Sequence, residues 1–150
     1  NPALVYAIMR QESFFRTNAR SPVGAVGLMQ LMPETARVTS RQYKMKKPTI
    51  ATLKTAQTNI TLGTAPLHKL HEQLHDHPVL VIAAYNASRT AVKRWLPKKR
   101  LPADIWIETI PYYETRNYLK NVIAYHVVYQ HRLGQKPSLK KLMRPIQRSQ

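Results

Sequence analysis

A chain of 150 residues is long enough to build one domain around its own hydrophobic core, and a second independent core is not expected. The complete absence of cysteine excludes disulfides, zinc–thiolate sites and thiol catalysis, and the apolar runs are too short and interrupted to span a membrane. With 24 Lys and Arg against 7 Asp and Glu the formal charge is +17, which suits an anionic partner and leaves few carboxylates for any acid–base chemistry.

The opening "NPALVY" has no initiator Met and no signal peptide, so a domain cut from a longer precursor is expected. Asn1 reads as a helix cap and Pro2 as its first turn. Leu4, Val5, Ile8, Met9 and Phe15 recur at helical spacing and predict a helix over 2–15. Glu12 follows Ile8 by one turn and lies on the same apolar face. A carboxyl group there is partly desolvated, which raises its pKa and suits a general acid. A helix-end glutamate paired with Arg10 or Arg16 fits the same pattern.

Behind this helix comes "SPVGAVGLMQLMP", which holds two of the four glycines, Gly24 and Gly27. Such a loop brings Ser21, Gln30 and Met32 near Glu12, although a plain interhelical turn explains it equally well. A GxxG loop also occurs in an RNA-binding module, but within a mixed α/β fold, and no sheet is evident here.

Further helices are expected near 33–41, 55–76, 78–86, 89–96, 103–108 and 112–133, so the fold class is mostly α. "KMKKP" and "PKKRLP" read as connections. In "HKLHEQLHDH", His68, His71 and His75 stand at helical spacing, but a polar helix face accounts for them more simply than zinc, and no metal is assigned. "AAYNAS" sets Tyr85 and Asn86 at a helix end, where an aromatic ring and an amide suit a sugar, yet Tyr also fills cores and Asn ends helices. In "IPYYETRNYLKNVIAYHVVYQ", Tyr118, Val122, Tyr125 and Tyr129 share a stripe with Glu114 one turn before Tyr118, a pattern more typical of core than of a site. The stretch "GQKPSLKKLMRPIQRSQ" reads as a peripheral basic tail with a short helix. The aromatics lie in apolar helical runs and do not alternate with basic residues as stacking platforms, which argues against a nucleic-acid partner.

Taken in order, "ES", "SPVGAVGLMQLMP", "NITLGTAPL", "AAYNAS" and "IPYYETRNYLKNVIAY" resemble the catalytic domain of the soluble lytic murein transglycosylases over roughly residues 1–137, with 138–150 a basic extension of the same domain. The resemblance implies a goose-type-lysozyme-like single globular domain with a substrate groove. It implies cleavage of the β-1,4 bond between N-acetylmuramic acid and N-acetylglucosamine in peptidoglycan, in the periplasm or cell envelope, without cofactor or metal, and with an upstream domain absent from this chain. Carried over by position, the catalytic glutamate falls on Glu12, and substrate-groove residues on Ser21, Gln30, Met32, Tyr85, Asn86, Glu114 and Tyr118. After Tyr-Asn-Ala the familiar pattern has glycine where this chain has Ser88, so the local turn is expected to differ. The family's mechanism uses one carboxylate as acid and then base, leaving a 1,6-anhydromuramyl end. A hydrolytic muramidase on the same fold is the alternative reading, and a basic nucleic-acid-binding module a more distant one.

Overall fold

The computed structural model describes residues 1–148. Among them are nine helices and no strand: α1 (Pro2–Ser13), α2 (Pro33–Gln42), α3 (Ile50–Leu53), α4 (Ala56–Gln73), α5 (Pro78–Asn86), α6 (Arg89–Trp95), α7 (Ala103–Thr109), α8 (Tyr113–Arg132) and α9 (Leu139–Leu142). No helix of the described residues is long and apolar enough to cross a membrane. The chain divides into two compact units, Asn1–Lys69 and Leu70–Gln150, with the division falling inside α4.

In the first unit α1 begins as its sequence predicts, with Asn1 Oδ1 accepting a hydrogen bond from the Ala3 amide at 2.9 Å and Pro2 in the first turn. Ala3, Leu4, Ala7, Ile8, Met9 and Ser13 form its buried face. The helix stops at Ser13, not at residue 15, because Phe14 and Phe15 take left-handed backbones with φ of 52° and 60°. That conformation costs about 1 to 2 kcal/mol per residue. Surface ring contacts offset part of it: the Arg10 guanidinium lies 4.2 Å from the Phe14 ring centroid, and Phe15 packs obliquely on Tyr6. Phe15 therefore sits outside the core face expected for it.

The short helix α3 escapes the periodic pattern because four residues carry too little of it. Its start is written instead in a reciprocal cap, with Thr49 Oγ1 accepting from the Thr52 amide and Thr52 Oγ1 from the Thr49 amide.

In the second unit Val79 through Ala84 of α5 are all buried. A helix apolar on every side must be surrounded, and α5 packs on both α6 and α8. The fully buried Trp106 of α7 satisfies its indole N–H on the Trp95 carbonyl at 2.8 Å. The buried stripe of α8 runs Thr115, Tyr118, Leu119, Val122, Ile123 and His126, so Tyr125 and Tyr129 fall at its half-buried margin. Before α5 the chain turns through left-handed His75 and Asp76, both with φ of 53°, which ends the preceding helix at Gln73, short of residue 76.

Residues 138–148 are not the peripheral tail their composition suggests. Leu142 is buried and Ile146 is 1% exposed. Ile146 exchanges backbone hydrogen bonds with Leu101 at 2.8 and 2.9 Å. His77 Nε2 meets the Arg144 carbonyl at 3.0 Å, and the Arg144 guanidinium donates to the Asp76 carbonyl at 2.7 Å. Two buried aliphatic side chains spaced through a basic run anchor it, a signal too sparse to read as an element. Ser149 and Gln150, the end of that expected extension, lie outside the described residues.

Candidate active site

Glu12 is half-buried on the last turn of α1. The residue after it, Ser13, is buried and donates from its hydroxyl to Met9 O at 3.0 Å and Leu28 O at 2.8 Å, tying the helix end to the loop that follows. That loop folds on itself. Ser21 Oγ accepts from the Ala25 amide at 3.0 Å, Gly24 turns with φ of 96°, and Val26 exchanges backbone bonds with Leu31 at 2.9 and 3.0 Å. Gln30, itself left-handed at φ 50°, donates its side-chain N–H to Gly27 O at 2.9 Å and Ala19 O at 3.2 Å. The strained backbone at Gln30 is thus over-determined by its own amide, the circumstance in which such strain persists at a functional position.

The result is a cavity of about 430 Å³ in which Glu12, Ser21 and Gln30 come together, with Arg16 and Arg20 also on its wall and Glu12 the one carboxylate among the lining residues. Met32 is 42% exposed at the N-terminus of α2 and does not line this cavity.

The residue that holds the loop in place lies elsewhere in the same unit. Asn59 of α4 is fully buried; its Oδ1 accepts from the Met29 amide, and its Nδ2 donates to Val26 O and Leu53 O, each at 2.8 Å. Gly27 is required beside it, because φ is 79° and a Cβ would collide with the Asn59 amide and lie 2.5 Å from Leu53 O. One turn after Asn59, a Cβ on Gly63 would lie 2.5 Å from Met29 Sδ. Reading by residue type singles out Gly27 for its loop and takes Asn59 and Gly63 only as part of "NITLGTAPL", without the hydrogen bonds and close contacts that fix their place. The available signal was the amide of Asn59 three residues ahead of Leu62 on the apolar face of α4, a buried polar group that must be spending its hydrogen bonds on something.

In the second unit Asn86 and Glu114 line a cavity of about 350 Å³ together with Ser88, Arg94 and Tyr112. Asn86 Oδ1 accepts from Thr115 Oγ1 at 2.8 Å, which fixes the amide and turns its N–H₂ away from that bond. Glu114 is exposed in the first turn of α8, where a carboxylate is favoured by the helix dipole. Tyr85 is half-buried at the end of α5, while Tyr118 is 5% exposed within the packed face of α8. The departure at Ser88 has a local explanation. Its backbone is extended, with φ of −176°, so no glycine is needed, and its hydroxyl accepts from the Ala91 amide at 3.0 Å to cap α6.

Among the described residues no three His, Asp or Glu side chains are placed to hold one metal ion. The histidine run is divided by the turn after α4: His71 pairs with Asp76 at 3.3 Å and His77 bonds the Arg144 carbonyl.

The described residues thus set a half-buried carboxylate on an all-helical scaffold, beside a loop held by the fully buried Asn59 amide. Family comparison places the chain: residues 1–105 match the model of the transglycosylase SLT domain, and residues 109–137 that of the soluble lytic transglycosylase helical domain, so the chain belongs to the SLT transglycosylase family. It is 41% identical over 138 residues to the soluble lytic murein transglycosylase of Salmonella typhimurium, covering 89% of this chain and 21% of that protein. The soluble lytic murein transglycosylase of Escherichia coli K12 is 40% identical over 136 residues, again 89% of this chain and 21% of the relative. Among solved structures, an inactive mutant of the lytic transglycosylase Slt from Pseudomonas aeruginosa superposes with a TM-score of 0.87 at 45% identity, over 91% of this chain and 23% of that one. The 70 kDa soluble lytic transglycosylase of Escherichia coli gives 0.85 at 36% identity, over 96% and 23%. The chain spans about a fifth of the length of these curated relatives.

Proposed function

We propose that this chain is the catalytic domain of a peptidoglycan lytic transglycosylase, cleaving the β-1,4 bond between N-acetylmuramic acid and N-acetylglucosamine, with Glu12 as general acid and then general base. The observation that carries the reading is the half-buried Glu12 in a cavity where it is the one carboxylate, beside Ser21 and Gln30. One carboxylate is sufficient if the substrate supplies its own nucleophile. Glu12 protonates the glycosidic oxygen, which leaves as the 4-hydroxyl of N-acetylglucosamine. The muramyl C6 hydroxyl bonds to C1 and gives its proton to the Glu12 carboxylate, so the acid is regenerated and no water is consumed. An internal hydroxyl held near C1 outcompetes water through proximity, worth up to about 7 to 11 kcal/mol in well-oriented systems.

In this reading Ser21, Gln30, Met32, Tyr85, Asn86, Glu114 and Tyr118 contact or shape the glycan site, and residues 1–137 form the catalytic domain with 138–150 its basic extension. The substrate sets the location as the periplasm or cell envelope. The coverage of about a fifth of the relatives' length supports a further domain in the same polypeptide.

Glu12→Gln tests the assignment with little change of shape. Its turnover on purified peptidoglycan should fall by at least about two orders of magnitude while glycan binding persists. Mass analysis of wild-type products should show muramyl ends one water lighter than hydrolysis gives, without a reducing group. Mainly reducing ends would replace this reading with a muramidase, and full activity in Glu12→Gln would move the site elsewhere.

A further inference from the structure

Another concavity of the second unit shares no lining residue with the cavity at Asn86 and Glu114. It has a volume of about 860 Å³, the size of a site for a ligand of several hundred daltons. Lys93, Arg100, Arg144 and Arg148 line it, and no carboxylate of the described residues does. Leu74, Leu80, Leu96 and Pro145 add an aliphatic surface. His77 contributes no charge near neutral pH: burial holds its pKa below the usual value, and its Nε2–H is spent on the Arg144 carbonyl.

The wall carrying two of the cations is constructed, not a loose surface. Residues 144–148 are held by the Leu101–Ile146 pair, by the His77 and Asp76 contacts to Arg144, and by the Arg148 amide donating to Pro97 O at 3.3 Å. Those bonds also commit the backbone N–H groups of Ile146 and Arg148, so an anion would be met by side chains. Phosphate sites usually add converging backbone amides. Cations lining an aliphatic surface instead suit a ligand that joins carboxylates to a partly apolar body, and guanidinium groups bind carboxylates in paired hydrogen bonds.

We propose that this cavity binds a short acidic peptide through its carboxylates and, resting on the function proposed above, that the peptide is the stem peptide of peptidoglycan. The site then holds the wall by its peptides, through groups that are not those assigned to bond cleavage.

The test uses the Glu12→Gln chain, so that binding is read apart from cleavage. A stem tripeptide with free carboxylates, its fully amidated counterpart and inorganic pyrophosphate are each titrated by calorimetry. The free acid should bind at least tenfold more tightly than the amidated peptide. The double substitution Arg100→Gln with Arg148→Gln should lose at least tenfold, and Arg100→Lys with Arg148→Lys should recover only part of that loss, because an ammonium keeps the charge without the paired hydrogen bonds. Lys93→Gln, on the exposed side of α6, provides an independent loss of affinity should the double variant prove unfolded by circular dichroism. Equal binding of acid and amide, or no loss in any of the glutamine variants, overturns the proposal. Pyrophosphate binding tighter than the tripeptide overturns the carboxylate assignment in favour of a phosphate site. If the tripeptide binds but wild-type protein yields no anhydro ends, the acidic-peptide site stands and the transglycosylase reading fails. If anhydro ends form but the tripeptide does not bind, the opposite holds.

Discussion

Asn59→Asp is a nearly isosteric change that should damage this fold as much as, or more than, Asn59→Ala at slightly alkaline pH. The native amide is fully buried and makes three hydrogen bonds at 2.8 Å, accepting one from Met29 and donating two to the carbonyls of Val26 and Leu53. Alanine leaves the Met29 amide and the Leu53 carbonyl without the Asn59 bond, while the Val26 carbonyl keeps the Leu31 amide. At about 1 to 3 kcal/mol for each of the two buried orphans, partly relieved where water enters the vacated space, the loss is about 2 to 5 kcal/mol. Aspartate keeps the Met29 bond but turns an oxygen toward both carbonyls. Ionised, it buries a negative charge against two acceptors; protonated, it can donate to only one of them. Taking up a proton above its unfolded pKa of about 3.9 costs about 1.4 kcal/mol per unit of upward shift, so a shift of about three units costs about 4 kcal/mol before the orphaned carbonyl is counted. A folded pKa raised above the unfolded one gives a penalty complete above the folded pKa, which shrinks as pH falls toward the unfolded value. Urea denaturation followed by circular dichroism at pH 8 and pH 5 reads this directly. The deficit of Asn59→Asp relative to wild type should narrow at pH 5, while that of Asn59→Ala should not. An aspartate variant as stable as wild type, or with the same deficit at both pH values, would refute the loop-clamp reasoning.

His126 is buried with neither ring nitrogen hydrogen-bonded, and burial, aided by the charge of His71, lowers its pKa from 6.5 to about 4. Its contribution is therefore complete above pH 6.5 and lost as pH falls toward 4, by about 1 to 3 kcal/mol once screening is allowed for. Thermal melts between pH 7 and 4.5 should show a smaller drop for His126→Leu than for wild type. Gly27→Ala meets both a positive φ and backbone at Leu53, whereas Gly63→Ala meets the flexible end of Met29. Denaturation midpoints should accordingly fall well below wild type for the first and by less for the second, and the reverse order would be disproof. Ser88→Ala should cost about 1 kcal/mol through loss of the α6 cap and Ser88→Gly only a few tenths, which paired urea titrations can resolve.

The helices announce themselves in the sequence where burial writes a period or a proline marks a start. α2, α5 and α6 fall within a residue or so of expectation for that reason, with Pro33 and Pro78 in their first turns. The miss at the end of α1 is instructive: Phe15 reads as a continuing apolar face, but left-handed backbones and surface ring contacts leave no trace in hydrophobic spacing. At the site, Glu12 stands out because a carboxylate interrupts an apolar face. Asn59 does not, because its partners are backbone atoms of residues 26, 29 and 53, which only the folded chain brings to it. The C-terminal run misleads for the opposite reason, since its composition is that of a solvated tail, while two buried aliphatic side chains, Leu142 and Ile146, and backbone bonds to residues distant in sequence hold it.

The extended pairings of this protein also bear on how it behaves when crowded. Arg20 with Val26, Val26 with Leu31, and Leu101 with Ile146 are isolated bridges, and none grows into a strand among the described residues. A run of unpaired amides and carbonyls is what lets one chain template another into a sheet, and single-residue bridges present no such edge. Formal charge of +17 adds mutual repulsion between copies in free solution. On an anionic surface that repulsion is neutralised and local concentration rises together, which are the conditions that drive strand-edged proteins to aggregate. Here, among the described residues, hydrogen bonds closed within helices and tight turns leave no strand edge for a neighbouring copy to join, so loss of charge repulsion uncovers no such template.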